Sequence, residues 1–179
     1  ALREPLRQLA RAQAVVLTRT DAVPSERIPD LARRVADLAP DACVAQSVHA
    51  PEALMPAGDS PEQTIDWLSG RKAFWFCGIG NPLAFVRTLE QMDIAIVGGR
   101  AFKDHHRYDS ADIRSIGAEA AAAGAEVLLT TEKDMVKLES TDQWTVPTYA
   151  VRVALSIVSG EEELGQAVSR ALDSDRRQR

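Results

Sequence analysis

Short, β-branched-rich apolar runs alternate with stretches whose apolar residues recur at helical spacing, and this alternation restricts the fold more than any other feature. Ala14 to Thr18 reads AVVLT, a strand. Ile28, Leu31, Val35 and Leu38 then recur at helical spacing, and Cys43 to Val48 is a second strand. Residues 50 to 64 carry Pro51, Pro56 and Pro61 with a Gly58-Asp59-Ser60 turn, which predicts a loop. Ala73 to Cys77 (AFWFC) is the next strand. Asn81 and Pro82 follow as N-cap and first helical residue, ahead of a buried face of Phe85, Val86, Leu89 and Met92. Ile94 to Val97 is a strand. Asp109 or Ser110 caps a helix with the stripe Ile113, Ile116 and Ala120, and Gly124 stops it. Val127 to Thr130 and Tyr149 to Leu155 are strands, and a last helix runs through Leu164, Val168 and Leu172. Such alternation predicts an α/β, Rossmann-like fold: a mostly parallel sheet covered by helices on both faces. The Ala-rich stretch 118 to 123 reads as a helix lying close against that sheet.

The 179 residues suit a single α/β domain, with residues 170–179 as a charged, frayed tail. A net charge of −5, and no basic patch interleaved with aromatics, argue against a nucleic-acid partner. Cys43 and Cys77 each sit in an apolar run, as buried thiols in a reducing compartment rather than as a disulfide scaffold. No apolar stretch approaches the length of a bilayer span and no signal peptide opens the chain, so the piece reads as soluble. It starts Ala1-Leu2-Arg3-Glu4-Pro5 without an initiator Met, as a truncated chain would.

Three segments carry unusual chemistry. Gly78-Ile79-Gly80-Asn81-Pro82 follows one strand, Phe102-Lys103-Asp104-His105-His106 follows the next, and Thr130-Thr131-Glu132-Lys133-Asp134 ends a third. Loops at the carboxyl ends of strands line the ligand crevice of an open α/β sheet, so the three should gather at one edge. The glycine loop is either an anion cradle, formed by Gly78, Gly80 and the N–H groups after Asn81, or a tight turn with a good cap. In the second segment, Asp104 beside His105 makes a general base, a metal ligand pair or a solvated polar loop. Adjacent loop residues rarely point the same way, so one histidine faces the site and the other packs. In the third, Lys133 and the backbone contact a phosphate, or Thr131 and Asp134 form a capping box; both readings hold together. His49 reads as a structural histidine ending a strand, and Trp67, Trp75 and Trp144 as packing residues. The chain has no G-x-x-x-x-G-K-[ST] and no dinucleotide fingerprint.

Taken in order, these phrases resemble the tetraacyldisaccharide 4′-kinase family. The matching phrases are Leu2-Arg3-Glu4-Pro5, the strand Ala12 to Thr18, GIGNP at Gly78 to Pro82 with Phe85, F-x-D-H-H-x-Y at Phe102 to Tyr108, and T-x-K-D at Thr131 to Asp134 with Val136 and Lys137. The resemblance implies the C-terminal lobe of a larger kinase. That enzyme would transfer the γ-phosphoryl of ATP, with Mg²⁺, to the 4′-hydroxyl of a lipid A disaccharide precursor at the cytoplasmic face of the bacterial inner membrane. It implies His105 as the base, paired with an acid from the other half, and Arg3 and Glu4 near nucleotide and metal, Glu4 as a possible ligand. Gly78, Gly80, Asn81, Thr131, Lys133 and Asp134 would contact nucleotide, phosphate or substrate. The P-loop half, which would hold most of the ATP and Mg²⁺ contacts and the membrane-touching segment, would be the chain's partner. The isolated chain is then expected to lack kinase activity. Two other readings compete: a metal-dependent phosphoesterase using Asp-His-His, and a non-catalytic sugar- or nucleotide-binding lobe.

Overall fold

The computed structural model describes residues 4–58, 60–138 and 144–176, with side chains described as far as Asp173. Arg3, one of the expected site residues, lies outside the described residues, as do Leu2 and the end of the charged tail. Although the length suits one domain, the backbone forms two compact units. One holds the residues up to His49 and those from Leu155 on; the other runs from Ala50 to Ala154.

In the first unit, β1 (Ala14–Thr18) pairs in parallel with the start of β2 (Cys43–Pro56), Ala14 opposite Cys43 and Thr18 opposite Ser47. A 3-10 turn, Leu6–Arg11, precedes β1, and Glu4 is exposed ahead of it. The stripe at Ile28, Leu31, Val35 and Leu38 forms α1 (Arg27–Leu38), which buries Val35 and leaves Leu31 exposed. β6 (Thr148–Ser159) ends here, and Gly160, at φ +74°, turns the chain into α5 (Glu161–Arg176). α5 buries Ala167, exposes Val168 and Leu172, and stays helical from residue 170 to Arg176.

The second unit carries β3 (Lys72–Cys77), β4 (Ala95–Ala101), β5 (Val127–Thr131) and the start of β6, hydrogen-bonded in the order β6-β5-β3-β4 with every pair parallel. Its helices are α2 (Pro82–Glu90), α3 (Ser110–Ala122) and the single turn α4 (Glu132–Met135). Side chains alternate along a strand, so β3 and β5 feed two separate cores. Ala73, Cys77, Val127 and Leu129 pack with Phe85 and Leu89 of α2, whereas Phe74, Phe76 and Leu128 pack with Ile116 and Ala120 of α3. Strands buried on both faces read as continuous apolar runs, which is why AFWFC and VLLT show no polar alternation. The tryptophans pack as expected: Trp67 against Tyr149, Trp75 edge-on to Phe85, and Trp144 stacked on Phe76.

One expectation fails here. Residues 50 to 56 are strand, because β2 continues through Pro51 to Pro56, and His49 lies inside β2 rather than at its end. The ladder with β1 stops at Ser47, so beyond it β2 has a side unpaired by β1. Prolines are tolerated in strands that leave an N–H position unused.

Candidate active site

β3, β4 and β5 run parallel, so their carboxyl ends share one edge, and the three chemistry-bearing loops meet there as expected. They meet around the peptide groups of Gly78. Its N–H donates to Asp134 Oδ2 at 2.9 Å, and its carbonyl accepts from the His105 N–H at 3.1 Å and from Lys137 Nζ at 3.4 Å. At both loop glycines a side chain would approach its neighbours closely. A Cβ at Gly78 would sit 3.1 Å from His106 Cβ and from the Tyr108 hydroxyl, and one at Gly80 would sit 3.1 Å from Asp104 Oδ2. Asn81 caps α2, accepting from the Ala84 N–H at 3.2 Å, with Pro82 as the first helical residue.

His105 and His106 diverge, as adjacent loop residues do. The His105 side chain is 74% exposed. Its backbone is left-handed, at φ +61°, a conformation uncommon outside glycine that costs on the order of 1–3 kcal/mol unless its surroundings hold it. Asp104 stands beside it, with Oδ2 3.7 Å from His105 Nε2, while Asp104 Oδ1 accepts from the His105 N–H at 3.0 Å and from Lys133 Nζ at 3.4 Å. The Asp104 carboxyl titrates below the ordinary carboxylate range. Desolvation is the largest single influence and works upward, but the Lys133 hydrogen bond, the charges of His105 and Lys133, and the His105 N–H together outweigh it. An accessible imidazole, a carboxylate and an ammonium thus share one edge, which is a set suited to taking a proton while offsetting negative charge.

His106 turns inward. Its ring stacks on Phe102, with centroids 4.4 Å apart, meets Tyr108 edge-on, and bonds through Nε2 to Asp112 Oδ2 at 2.8 Å. Asp112 is also the third helical residue of the α3 capping box, receiving the Asp109 N–H while Asp109 accepts from Ala111 and Asp112. Desolvation pushes the Asp112 carboxyl up, yet the His106 bond, the Asp109 N–H and the charges of His106 and Arg100 hold it below the usual range. A carboxyl lowered on folding contributes stability above its unfolded value and loses it as pH falls through the folded one. Asp112→Asn is therefore expected to flatten the acid side of the Tm-versus-pH curve below about pH 4, the unfolded carboxylate value. An acid limb as steep as the wild type's would contradict it.

Asp134 is fully buried. Besides Gly78, its carboxylate accepts from the Thr131 hydroxyl at 2.7 Å and from Lys137 Nζ at 2.7 Å, and Thr131 Oγ1 caps α4 by accepting the Asp134 N–H at 3.1 Å. Two neighbours respond to this buried charge. Burial first, and then the Asp134 charge, push the Cys77 thiol to about 11 and the Tyr108 phenol above its ordinary value. The Tyr108 hydroxyl is buried beside the Asp134 carboxylate, and interaction with it adds to the rise.

Of the expected residues, Gly78, Gly80, Asn81, Asp104, His105, Thr131, Lys133 and Asp134 all fall at this edge. They divide into an accessible set (Asp104, His105, Lys133) and a supporting set in which Asn81, Thr131 and Asp134 are engaged by protein groups. Glu4 belongs to the other unit and is exposed. Asp112 was not foreseen as the partner of His106, and its signal was only its place three residues after the cap Asp109. Among the described residues, no group of three or more His, Cys, Asp or Glu side chains is placed to hold a metal ion. Among them, too, no helix is long and apolar enough to cross a membrane.

The fold, a mostly parallel sheet flanked by helices, matches the crystal structure of LpxK from Aquifex aeolicus in complex with ATP, at a TM-score of 0.61 and 23% identity, over 95% of this chain and 46% of that one. The sequence is more specific. It is 34% identical over 176 residues to the tetraacyldisaccharide 4′-kinase of Anaeromyxobacter sp. (strain K), covering 95% of this chain and 45% of that protein. It is 33% identical to the one from Syntrophus aciditrophicus, covering 87% of this chain and 43% of that protein. The model of the tetraacyldisaccharide-1-P 4′-kinase family matches residues 1–173, and the chain belongs to that family. It spans about half the length of the curated relatives it matches.

Proposed function

We propose that this chain completes the active site of an ATP-dependent kinase that phosphorylates the 4′-hydroxyl of a tetraacyldisaccharide 1-phosphate, a lipid A precursor, at the cytoplasmic face of the inner membrane of a Gram-negative bacterium. The observation that supports it most is the family match over residues 1–173, together with the meeting of Asp104, His105 and Lys133 on one sheet edge. The His105 imidazole takes the proton of the sugar hydroxyl as its oxygen bonds to the γ-phosphorus and the bond to the β-phosphate oxygen breaks, releasing ADP. Asp104 favours the imidazolium that results, and Lys133 offsets charge nearby. Such transfer is chiefly positioning and charge stabilisation, so the grip on the phosphates falls to residues outside this chain, which has no P-loop. Mg²⁺ would lower the charge on the phosphate oxygens, but the described residues form no site for it, Glu4 being a lone acid, and its ligands would come from ATP and the rest of the enzyme. A phosphoesterase holding two metals would need such a cluster in addition to Asp104, and His106 is already bound to Asp112.

The test is transfer of labelled γ-phosphate from ATP to the disaccharide. The full-length enzyme should incorporate label and the isolated 179-residue chain should not. Robust transfer by the chain alone, or none by the full-length enzyme, would refute the proposal.

A further inference from the structure

We infer that Asp134 and Lys137 are positioning residues for His105, acting through the two peptide groups of Gly78. The inference rests on the reading of His105 as the base. The left-handed backbone of His105 must be held by its surroundings, and the structure shows by what. The His105 N–H bonds to the Gly78 carbonyl at 3.1 Å as well as to Asp104 Oδ1. Gly78 is fixed from its other side by Asp134, whose Oδ2 takes the Gly78 N–H at 2.9 Å. Lys137 spans the two, bonding Asp134 Oδ1 at 2.7 Å and reaching the Gly78 carbonyl at 3.4 Å. Gly78 itself is buried, and a Cβ added to it would lie 3.1 Å from His106 Cβ and from the Tyr108 hydroxyl, so little room surrounds it on that side.

Asp134 is fully buried, and its carboxylate is engaged by the Gly78 N–H, the Thr131 hydroxyl and Lys137 Nζ. A buried ion pair is weak evidence for stability, since well-packed apolar residues would serve as well. What it supplies is direction: one charge aligns an N–H, and its counter-charge reaches the carbonyl of the same residue, which carries His105. With that hold weakened, the loop can relax towards ordinary φ values and carry the imidazole away from the substrate oxygen. A misplacement of about 1 Å is enough to cost on the order of 100-fold in rate.

The experiment is a double-mutant cycle in the full-length kinase with Asp134→Asn and His105→Ala, reading kcat and the KM for ATP. Asp134→Asn should lower kcat by roughly 10- to 100-fold and leave the KM for ATP within about twofold. In the His105→Ala background it should cost almost nothing further, because a group acting only through His105 has nothing left to position. Full, multiplicative loss in that background would overturn the inference, as would a raised KM with unchanged kcat. Should Asp134→Asn fail to fold, Lys137→Gln carries the same cycle at a side chain 19% exposed, and the same outcomes decide. If His105→Ala itself leaves kcat intact, the base assignment fails; if it is costly while both supporting variants are silent, only the present inference fails.

Discussion

His105→Ala in the full-length enzyme is expected to lower kcat by roughly 10²–10⁴-fold, the range that a positioned general base contributes, with little change in the KM for ATP. The expectation follows from exposure and neighbours. His105 presents 74% of its side chain to solvent beside the Asp104 carboxylate, whose titration is held below the ordinary range. His106→Ala removes a ring that is stacked on Phe102 and bonded to Asp112, so it should act first on stability, lowering Tm, with a much smaller loss of kcat. Steady-state kinetics of both variants, beside their thermal melts, provide the check. Equal losses in kcat from folded proteins would sink this division of roles.

Phe76→Ala is expected to destabilise the protein by about 3–5 kcal/mol, as large-to-small changes at packed aromatic sites do. Phe76 is fully buried in β3, stacked on Trp144 with ring centroids 5.5 Å apart and edge-on to Tyr108 at 5.6 Å, within the core that includes Ile116 and Leu138. The change also loosens the floor beneath the DHH segment through Tyr108, so activity should fall with stability. Urea unfolding measures the effect, with Leu83→Ala, at a position 69% exposed, as the control expected to shift stability by about 0.5 kcal/mol or less. A cost for Phe76→Ala as small as the control's would show that this layer is not the packed unit described.

Much of this arrangement is legible in the sequence because local signals and global fold agree. Asn81-Pro82, Asp109 and Thr131 each announce a helix start, and each caps one. The apolar runs of β3 and β5 are long enough to declare strands covered on both sides. The shared edge of the three loops follows from parallel strands alone, before any contact is known. The rest is written in longer-range terms. Asp134 reads as a polar loop residue, and its burial depends on the Gly78 N–H, 56 positions away, together with Lys137. The Asp112–His106 bond hides behind a capping box that explains Asp112 without it. The prolines after His49 are ordinary loop signals, overruled because β1 ends at Thr18 and ceases to demand N–H donors from β2. Nor does composition foretell two units in a chain whose long strands β2 and β6 contribute residues to both.

Gly78 also constrains how such a sequence can change. A methyl group there would press on His106 Cβ and the Tyr108 hydroxyl at 3.1 Å and on Asp134 Oδ1 at 3.3 Å, three side chains drawn from two different loops. Each of them would have to give by a few tenths of an ångström. A side chain at position 78 is therefore best tolerated where position 108 is shorter or position 134 sits further back. Substitutions at 78, 106, 108 and 134 are therefore expected to depend on one another rather than act as four independent sites.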